Sequence, residues 1–415
     1  MRSLFFLSLL LGMHHLRAQQ YSILIREGHI IDPKNHIDAV MDLAIDKGKI
    51  VKLAKHIDGD AVQVVNAKGL YVTPGLIDLH AHVFFGTQPD HYLSDGLEAL
   101  PPDGFTFRVG VTTVVDAGGA GWKNFSIFKK NIIDHSKTRV LCMLNVIGEG
   151  MRGGAYEQNA NDMEPKMIAT LAKENLGLIV GIKVAHYQGH DWRAVDSAVA
   201  AGKLAGIPVM IDFGGSKPAL SLEELFMKHL RPGDIFTHSF GNLSPTREPI
   251  VDEATGKLRA FVWEARKRGI FFDVGFGGIS FRYSQAIPAI KQGFLPSSIS
   301  TDLHSGSMNN AMKDQLNVMS AFMAMGMAFP DLIRASTITP AQEIKREDLG
   351  HLSIGAVADI AILNIREGSF GFYDYTGYRI TGNKKLECAM TIRDGRIVYD
   401  LNGIAYPIYP PSSKK

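Results

Sequence analysis

The sequence predicts an α/β protein: a (β/α)8 barrel of the TIM type with a small β-sandwich domain formed by the N- and C-terminal segments. Three observations carry this prediction. Eight short apolar runs in the middle of the chain end in polar residues, helical patterns separate them, and alternating strand patterns occur near both termini. The chain has 415 residues, 46% hydrophobic and 21% charged, which is ordinary for a globular protein and long enough for this architecture.

The N-terminal stretch "MRSLFFLSLLLGMHHLRAQQ" is typical of a signal peptide that covers residues 1–18. Arg2 provides the charged start, residues 4–12 form the apolar stretch, and cleavage is expected before Gln19. The apolar stretch is too short to span a bilayer. We therefore expect a periplasmic or otherwise exported protein, with no membrane insertion after cleavage.

Charge and cysteine content narrow the expected partners. Removal of residues 1–18 takes away Arg2 and Arg17, which leaves 42 Lys and Arg against 42 Asp and Glu. A chain without a basic excess is not expected to bind nucleic acid or an anionic membrane surface. Two cysteines, Cys142 and Cys388, are too few for a disulfide framework, although the sequence leaves open a single disulfide bond between them. The expected partner is a small-molecule substrate, and homo-oligomerisation stays open.

Two separated groups of strand patterns frame the chain. "YSILIREGHIID" and "AVMDLAIDKGKIVKLA" lie near the start, whereas "GAVADIAILNI" and "ECAMTIRDGRIVYD" lie near the end. Their Glu-Gly, Lys-Gly and Asp-Gly pairs mark turns between strands. We expect residues 19–72 and 347–408 to form one composite β-sandwich domain, residues 73–346 to form the barrel, and residues 409–415 to form a tail.

The barrel is predicted from eight apolar runs separated by helical patterns such as "WRAVDSAVAAGKLAG", "SLEELFMKHL" and "FVWEARKRG". In chain order the runs are "GLIDLHAH", "TTVVDAGG", "RVLCMLNV", "GLIVGIKVAH", "IPVMIDFGG", "DIFTHSFG", "IFFDVGFGG" and "SISTDLH". In barrels of this kind the chemistry takes place at the C-terminal ends of the strands. The polar residues at those ends are therefore the candidates for function.

The first predicted strand ends in two histidines, within the stretch "VTPGLIDLHAHVFFG". Residues two apart in a strand point to the same face, so His80 and His82 leave the strand side by side. Two neutral imidazoles are poorly suited to an apolar core and well suited to bind a metal ion together. The alternative is a pair of partly exposed loop histidines, and the residues at the ends of the other predicted strands distinguish the two interpretations.

Ionisable side chains also end the later strands. From the fourth run onward they are Lys183, Asp212, His238, Asp273 and Asp302, at separations of 29, 26, 35 and 29 residues, each about one β/α unit. Taken singly, a lysine extends to solvent from a strand end and an aspartate caps the next helix. The coincidence of Lys183, Asp212, His238 and Asp302 with His80 and His82 on one rim favours a metal site.

With these residues the chain resembles the amidohydrolase superfamily of metal-dependent hydrolases. Within it the chain is similar to the amidohydrolase/deacetylase group, which includes dihydroorotase-like proteins. The resemblance rests on "PGLIDLHAH", "GVTTVVDAG", "GIKV", "THSFG", "STDLH" and "ASTITPAQEI", and it spans nearly the whole chain after residue 18. It implies the same barrel with an interrupted β domain.

The resemblance also implies a site for one or two divalent ions, with zinc expected and manganese as the alternative. By this likeness His80 and His82 bind the more buried ion, a carboxylated Lys183 bridges two ions, and His238 binds the second. Asp302 binds the first ion and carries protons, while a hydroxide held by the metal attacks the substrate.

One residue departs from the family pattern. The family usually has a histidine at the end of the fifth strand, where this chain has Asp212 in "VMIDFGG". A carboxylate is a competent ligand for zinc and a better one for harder ions such as manganese. Its charge also raises the pKa of a bound water. The sequence leaves open whether Asp212 binds the second ion, whether other residues hold that ion, or whether it is absent.

Three Gly-rich loops on the same side are expected to meet the substrate: "GEGMRGGAY", "HYQGHDW" and "GGISFRYS". Arg152, His186 and Arg282 in these loops are candidates to hold a substrate carboxylate, since arginine matches carboxylate geometry. An ordinary surface position is the alternative for each of them.

The leading hypothesis is a metal-dependent hydrolase that removes a small acyl group from a carboxylate-bearing N-acyl or O-acyl compound. The alternative enzyme is a dihydroorotase-like cyclic amidase. A third hypothesis is a metal-poor, non-catalytic binding protein that lost its activity through Asp212. The presence of both Lys183 and Asp302 argues against this third hypothesis, because an inactive site has no need for either.

Overall fold

The computed structural model describes residues 20–212 and 215–409. The predicted signal peptide, residues 1–18, lies outside the described residues, and so does all but the first residue of the predicted tail. None of the helices within the described ranges combines the length and the apolar character needed to cross a bilayer.

Strands occur between residues 21 and 272 and again between residues 360 and 400, and some contain only two residues. In chain order they are β1 (Tyr21–Asp32), β2 (Ile37–Asp46), β3 (Lys49–Ala54), β4 (Ala61–Asn66), β5 (Tyr71–Pro74), β6 (Leu76–Ala81), β7 (Phe85–Gln88), β8 (Val111–Ala117), β9 (Arg139–Asn145), β10 (Ile179–Val184), β11 (Val209–Ile211), β12 (Ile235–Phe236), β13 (Val251–Asp252), β14 (Lys257–Leu258), β15 (Phe271–Phe272), β16 (Ile360–Tyr373), β17 (Arg379–Arg393) and β18 (Arg396–Asp400).

Helices lie between and after the strands of the middle region. In chain order they are α1 (Phe125–Asn131), α2 (Pro165–Glu174), α3 (Arg193–Ala205), α4 (Leu222–Glu224), α5 (Ala260–Lys267), α6 (Tyr283–Lys291), α7 (Ser305–Met308), α8 (Gln315–Ala324), α9 (Phe329–Ser336) and α10 (Ile338–Glu343). The short α4 continues into a π-helical turn, Leu225–His229. The three helical patterns quoted from the sequence correspond to α3, to α4 with its π turn, and to α5.

The terminal strands share one mixed sheet of eight strands in the order β18-β17-β16-β5-β1-β2-β3, with β4 also paired to β1. The short β5 joins the two ends of the chain, because it pairs parallel with β1 and antiparallel with β16. The sheet branches at β1, which pairs with β4 along its first half and with β5 farther along. The predicted β-sandwich therefore takes the form of one branched sheet. Its apolar core draws on both chain ends, with Ile25, Leu43, Ile362 and Met390 among its residues.

Seven strands of the middle region form a parallel sheet in the order β15-β12-β11-β10-β9-β8-β6. Neighbouring strands follow the order of the chain, so the sheet curls in one direction. Every residue of β6, β8 and β10 is buried, as expected for parallel strands covered on both faces. A separate apolar cluster includes Ile77, Val115, Met143 and Met210 from four of these strands.

The eighth predicted strand, residues 298–304, contacts both edges of this sheet without being an assigned strand. Isolated bridges pair Ser298 with Asp273 and Leu303 with Ala81. The positive φ of 54° at Asp302 interrupts an extended conformation within this segment, which explains the absence of a regular strand there.

Candidate metal centre

His80, His82 and Asp302 bring their ligand atoms together at the C-terminal end of the parallel sheet. One ligand atom from each of the three side chains lies within 4.8 Å of the others. Asp302 Oδ1 is 2.8 Å from His82 Nε2 and 3.5 Å from His80 Nε2. All three residues are largely buried. This is a compact set of donors for one divalent cation.

Backbone hydrogen bonds hold these distant parts of the chain together. Asp302 N donates to His80 O at 2.6 Å, and His82 N donates to Leu303 O at 2.9 Å. Asp302 and His238 both have a positive φ, 54° and 53°, which is uncommon for residues other than glycine. Strained backbone of this kind concentrates at functional sites.

A buried chain of hydroxyl and carboxyl groups orients His80. Thr237 Oγ1 donates to Asp273 Oδ2 at 2.7 Å and lies 2.9 Å from His80 Nδ1. Since the hydroxyl hydrogen of Thr237 is used on Asp273, the hydroxyl oxygen accepts from His80 Nδ1–H. The lone pair of His80 is then on Nε2, which faces Asp302. Burial lowers the pKa of His80 well below its usual range, with a further contribution from Lys183, so the imidazole is neutral as a metal ligand requires.

His238 is oriented in the same manner and faces Asp212. His238 Nδ1 donates to Gly275 O at 2.6 Å, which leaves Nε2 3.3 Å from Asp212 Oδ2. The rings of His238 and His80 have centroids 4.9 Å apart. Burial opposes ionisation of Asp212, but the charge and hydrogen bond of His238, together with Lys183, outweigh it and hold its pKa well below the usual range. Asp212 therefore carries a negative charge beside His238.

Lys183 is fully buried on β10. Its Nζ lies 3.0 Å from His80 Nε2. Burial lowers the pKa of Lys183, although Asp212 and Asp302 oppose this effect. The lysine amine is thus adjacent to the candidate ligands and shifted toward its neutral form.

Two glycines of the "VGFGG" stretch leave the space that the site needs. A Cβ at Gly277 would lie 2.5 Å from Asp302 Oδ2, and one at Gly275 would lie 2.4 Å from Thr237 Oγ1. Both glycines also have a positive φ, 62° and 46°. Any other residue would displace the side chains that it faces.

The donor set fits divalent cations. Imidazole nitrogen and carboxylate oxygen are the ligand types that zinc and manganese take in proteins. His80, His82 and Asp302 form one group, His238 and Asp212 form a second, and Lys183 lies next to the first. The structure therefore brings all six predicted residues into one chain of close contacts, and their individual roles remain predictions.

The two arginines predicted to hold a carboxylate are partnered within the protein. Arg152 lies 3.4 Å from Asp90 and 3.6 Å from Glu149, measured between guanidinium nitrogen and carboxylate oxygen. Arg282 Nε donates to Tyr375 Oη at 2.7 Å. Each has a binding partner of its own in the described part of the chain.

His186 lines a cavity of about 580 Å³ together with Tyr92, Glu157 and the residues Gly153, Gly154, Gln158 and Gln188. His186 Nδ1 lies 2.8 Å from Glu157 Oε2. Burial disfavours its protonated form, yet Glu157 outweighs burial and raises the pKa of His186, and Asp212 adds to this effect. Burial and the charges of Asp302 and other carboxylates, Asp212 among them, raise the pKa of Tyr92 to about 12. The charges of two candidate ligands, Asp212 and Asp302, thus influence side chains that line this cavity.

Sequence reasoning assigned no role to several residues around the site. Asp273 ends a predicted strand and Thr237 precedes His238 in "THSFG", so both had a positional signal for supporting roles. Tyr92 and Arg247 lie in loops and Glu157 lies in a short 3-10 helical turn, Gly154–Gln158, and no spacing rule predicts the paths of these segments.

Comparison with known proteins agrees with the geometry. The model of the Amidohydrolase family matches residues 261–399. A deacetylase from Brucella anthropi is 34% identical over 352 residues, which cover 82% of this chain and 84% of the relative.

Two solved structures share the fold over nearly the whole chain. A crystal structure of an adenine deaminase superposes with a TM-score of 0.82 at 28% identity and covers 92% of this chain and 100% of its own. A dihydroorotase superposes with a TM-score of 0.78 at 26% identity, covering 91% and 99%. Members of this superfamily use divalent metals, which agrees with the His80, His82 and Asp302 group. The chain therefore belongs to the amidohydrolase superfamily and is a hydrolase that acts on carbon–nitrogen bonds.

Proposed function

We propose that this protein is a metal-dependent deacetylase that acts on a small carboxylate-bearing N-acetyl or O-acetyl compound. The observation that carries the proposal is the buried cluster of His80, His82 and Asp302 with Lys183 beside it. The likeness to a deacetylase along most of the chain supports the choice of reaction. The proposal includes a closed (β/α)8 barrel, supported by the contacts of residues 298–303 with both sheet edges.

In this proposal His80, His82 and Asp302 hold one ion, and His238 and Asp212 hold a second. Lys183 adds carbon dioxide through its neutral amine. The nitrogen lone pair forms a C–N bond while one C=O π bond of carbon dioxide opens onto oxygen, the nitrogen loses one proton to water, and the resulting carbamate anion would supply two oxygens. The lowered pKa of Lys183 supports this reaction, because a protonated amine does not react. When bound, the ions would polarise the scissile carbonyl and lower the pKa of the attacking water.

Asp302 is the proposed proton carrier. Its carboxylate lies at the centre of the cluster, with Oδ1 beside both histidines and Oδ2 facing Gly277. Burial favours its neutral form, but the contact with His82 outweighs burial and lowers its pKa, so the carboxyl group is ionised. A single positioned carboxylate then takes the proton from the attacking water and returns it to the leaving nitrogen or oxygen.

The proposal is tested by a hydrolysis screen on metal-loaded protein. The panel contains N-acetyl amino acids and O-acetyl hydroxy acids of both hands, together with dihydroorotate, hydantoins and adenine. We expect acetate release from at least one acetyl acid, and the Asp302→Asn variant excludes a contaminating hydrolase. Ring opening of dihydroorotate or a hydantoin without acetate release would favour the cyclic amidase instead. Loaded protein that turns over nothing in the panel would contradict both.

Asp212 provides a prediction about metal preference. In place of the usual histidine it offers an oxygen ligand and a negative charge, so manganese should support turnover at least as well as zinc. Asp212→His should tighten zinc binding and move the pH–rate profile to lower pH by about one unit, since loss of the charge lowers the pKa of the attacking water. Metal titration and pH–rate profiles with both ions measure these effects.

The matched control is Asp191→His, because Asp191 lines the same small cavity as Asp212 and pairs with Arg193. This variant should leave metal preference and pH profile unaltered. If Asp212→His behaves like the control, Asp212 is not a ligand and the site consists of His80, His82, Lys183, His238 and Asp302 alone.

A further inference from the structure

Arg247 is a buried arginine next to the candidate metal centre whose guanidinium is only partly bonded. The residue is 1% exposed. Its Nη2 donates to the backbone carbonyl of His238, and its guanidinium carbon lies 5.1 Å from the centroid of the Phe236 ring. Its Nε and Nη1 atoms are buried and have no hydrogen-bond partner in the described part of the chain.

Burying a guanidinium with unbonded nitrogens is unfavourable in free energy unless an anion accepts hydrogen bonds from them. A buried cation without a partner loses the hydration that water would provide, and guanidinium keeps its charge at neutral pH. Burial lowers the pKa of Arg247 only to about 10, with Asp212 acting in the opposite direction. Asp212 Oδ2 itself lies 3.3 Å from His238 Nε2, so its partner within salt-bridge distance in the described residues is that imidazole and not Arg247. Arg247 Nε and Nη1 are therefore buried donors for which the described residues supply no acceptor.

The position of Arg247 relates it to the substrate. The residue follows His238 in the loop after β12, at the C-terminal end of the parallel sheet, and it bonds the backbone of a candidate ligand. By contrast, Arg152 is paired with Asp90 and Glu149, and Arg282 is bonded to Tyr375. Arg152 Nε is also buried without a hydrogen-bond partner in the described residues, but the guanidinium of Arg152 is paired with two carboxylates. Arg247 has two such nitrogens, Nε and Nη1, and no carboxylate within salt-bridge distance in the described residues.

We propose that Arg247 binds the carboxylate of the substrate and so makes the enzyme selective for acids over neutral amides. The inference rests on the proposed function, because it concerns the carboxylate-bearing substrate of that reaction. Charge-assisted hydrogen bonds from guanidinium to carboxylate are strong and directional, and they gain strength in a buried site. The metal centre would then act on the acetyl group while Arg247 holds the other end of the molecule.

The test compares two substrates. One is the acetyl acid that the screen finds to have the highest kcat/KM, and the other is the same compound with a neutral carboxamide in place of the carboxylate. Wild-type protein should prefer the acid in kcat/KM by about 100-fold, the value expected for a buried hydrogen bond between charged groups. Arg247→Met should remove most of this preference by raising KM for the acid, while kcat/KM for the carboxamide changes far less. Metal content, measured on the same samples, should stay at the wild-type level.

Several outcomes would overturn the inference. Equal losses for acid and carboxamide, accompanied by loss of metal, would mean that Arg247 only holds the backbone at His238. Wild-type protein that does not distinguish the acid from the carboxamide excludes a carboxylate-binding role even if Arg247→Met fails to fold. Arg247→Lys, which keeps the charge, should retain part of the preference. If Arg152→Met abolishes the preference and Arg247→Met does not, the carboxylate binds at Arg152.

A binding readout separates this inference from the proposed function. Butanoate should raise the unfolding temperature of wild-type protein more than butanamide does, and Arg247→Met should lose this difference whereas Arg152→Met keeps it. If the protein hydrolyses no acetyl compound but shows this pattern, the deacetylase proposal is wrong and the carboxylate site stands. If acetyl acids are hydrolysed and Arg247→Met keeps the full difference in unfolding temperature between butanoate and butanamide, the deacetylase proposal stands and the carboxylate site at Arg247 is wrong.

Discussion

Replacing Asp302 with asparagine should lower kcat by about 1000-fold or more while the protein stays folded. Asparagine has nearly the same shape as aspartate but cannot accept a proton and carries no charge, and loss of a positioned general acid or base costs 100- to 10,000-fold. The carboxylate lies 2.8 Å from His82 Nε2, so the substitution also weakens a candidate ligand group. Steady-state kinetics on the substrate found in the screen measure the effect.

Asp38→Asn serves as the matched control, because Asp38 lies on β2 of the mixed sheet and pairs with His29. Its kcat should stay within about twofold of wild type, as expected for a surface change. Circular dichroism and thermal unfolding should show both variants folded. An Asp302→Asn protein whose kcat remains within tenfold of wild type would exclude Asp302 as the proton carrier.

Replacing Lys183 with alanine should lower both bound metal and turnover, by about 100-fold or more, since even groups that only support metal ligands cost 10- to 100-fold when removed. Lys183 is fully buried beside His80, so the shorter side chain also leaves an internal space. Short carboxylic acids such as formate or acetate can enter that space and supply the two oxygens of the missing carbamate. We therefore expect partial recovery of activity when they are added, measured together with metal content.

Lys183→Met is the control for this recovery. Methionine has a volume close to that of lysine and no amine, so it removes the carbamate without opening space for an added acid. Turnover should be lost in this variant and should stay lost with added formate. Full metal content in Lys183→Ala, or equal recovery in both variants, would mean that Lys183 does not bridge the ions.

Much of the candidate site was accessible from local patterns. His80 and His82 follow from the two-residue repeat of a strand, and Lys183, Asp212, His238 and Asp302 follow from the position of polar residues where apolar runs end. Parallel strands place their C-terminal ends on one rim of the sheet, so residues that are about one β/α unit apart in the sequence lie close together in space. The structure brings these six residues together, and their metal-binding roles await the experiments above.

The supporting residues depended on long-range geometry. Thr237 donates a hydrogen bond to Asp273 and accepts one from His80, which joins β6, β12 and the end of β15, and no local pattern specifies these bonds. Arg152 and Arg282 looked like carboxylate ligands in the sequence, but the structure pairs them with Asp90, Glu149 and Tyr375. Whether an arginine is free depends on which carboxylates and hydroxyls the folded loops bring near it.

The sequence by itself determined the class of protein, the alternation of apolar runs with helical patterns in the middle of the chain, and the set of ionisable residues that end those runs, because hydrophobic periodicity and strand-end chemistry are local properties. Only the tertiary structure decided that the N- and C-terminal strands form one branched sheet, that residues 298–304 contact both edges of the parallel sheet, and that two buried nitrogens of Arg247 find no hydrogen-bond partner among the described residues. These features depend on contacts between residues far apart in the chain. The burial of a side chain and its bonding partners depend on all of these long-range contacts together. The identity of a residue and of its neighbours in the sequence does not specify them.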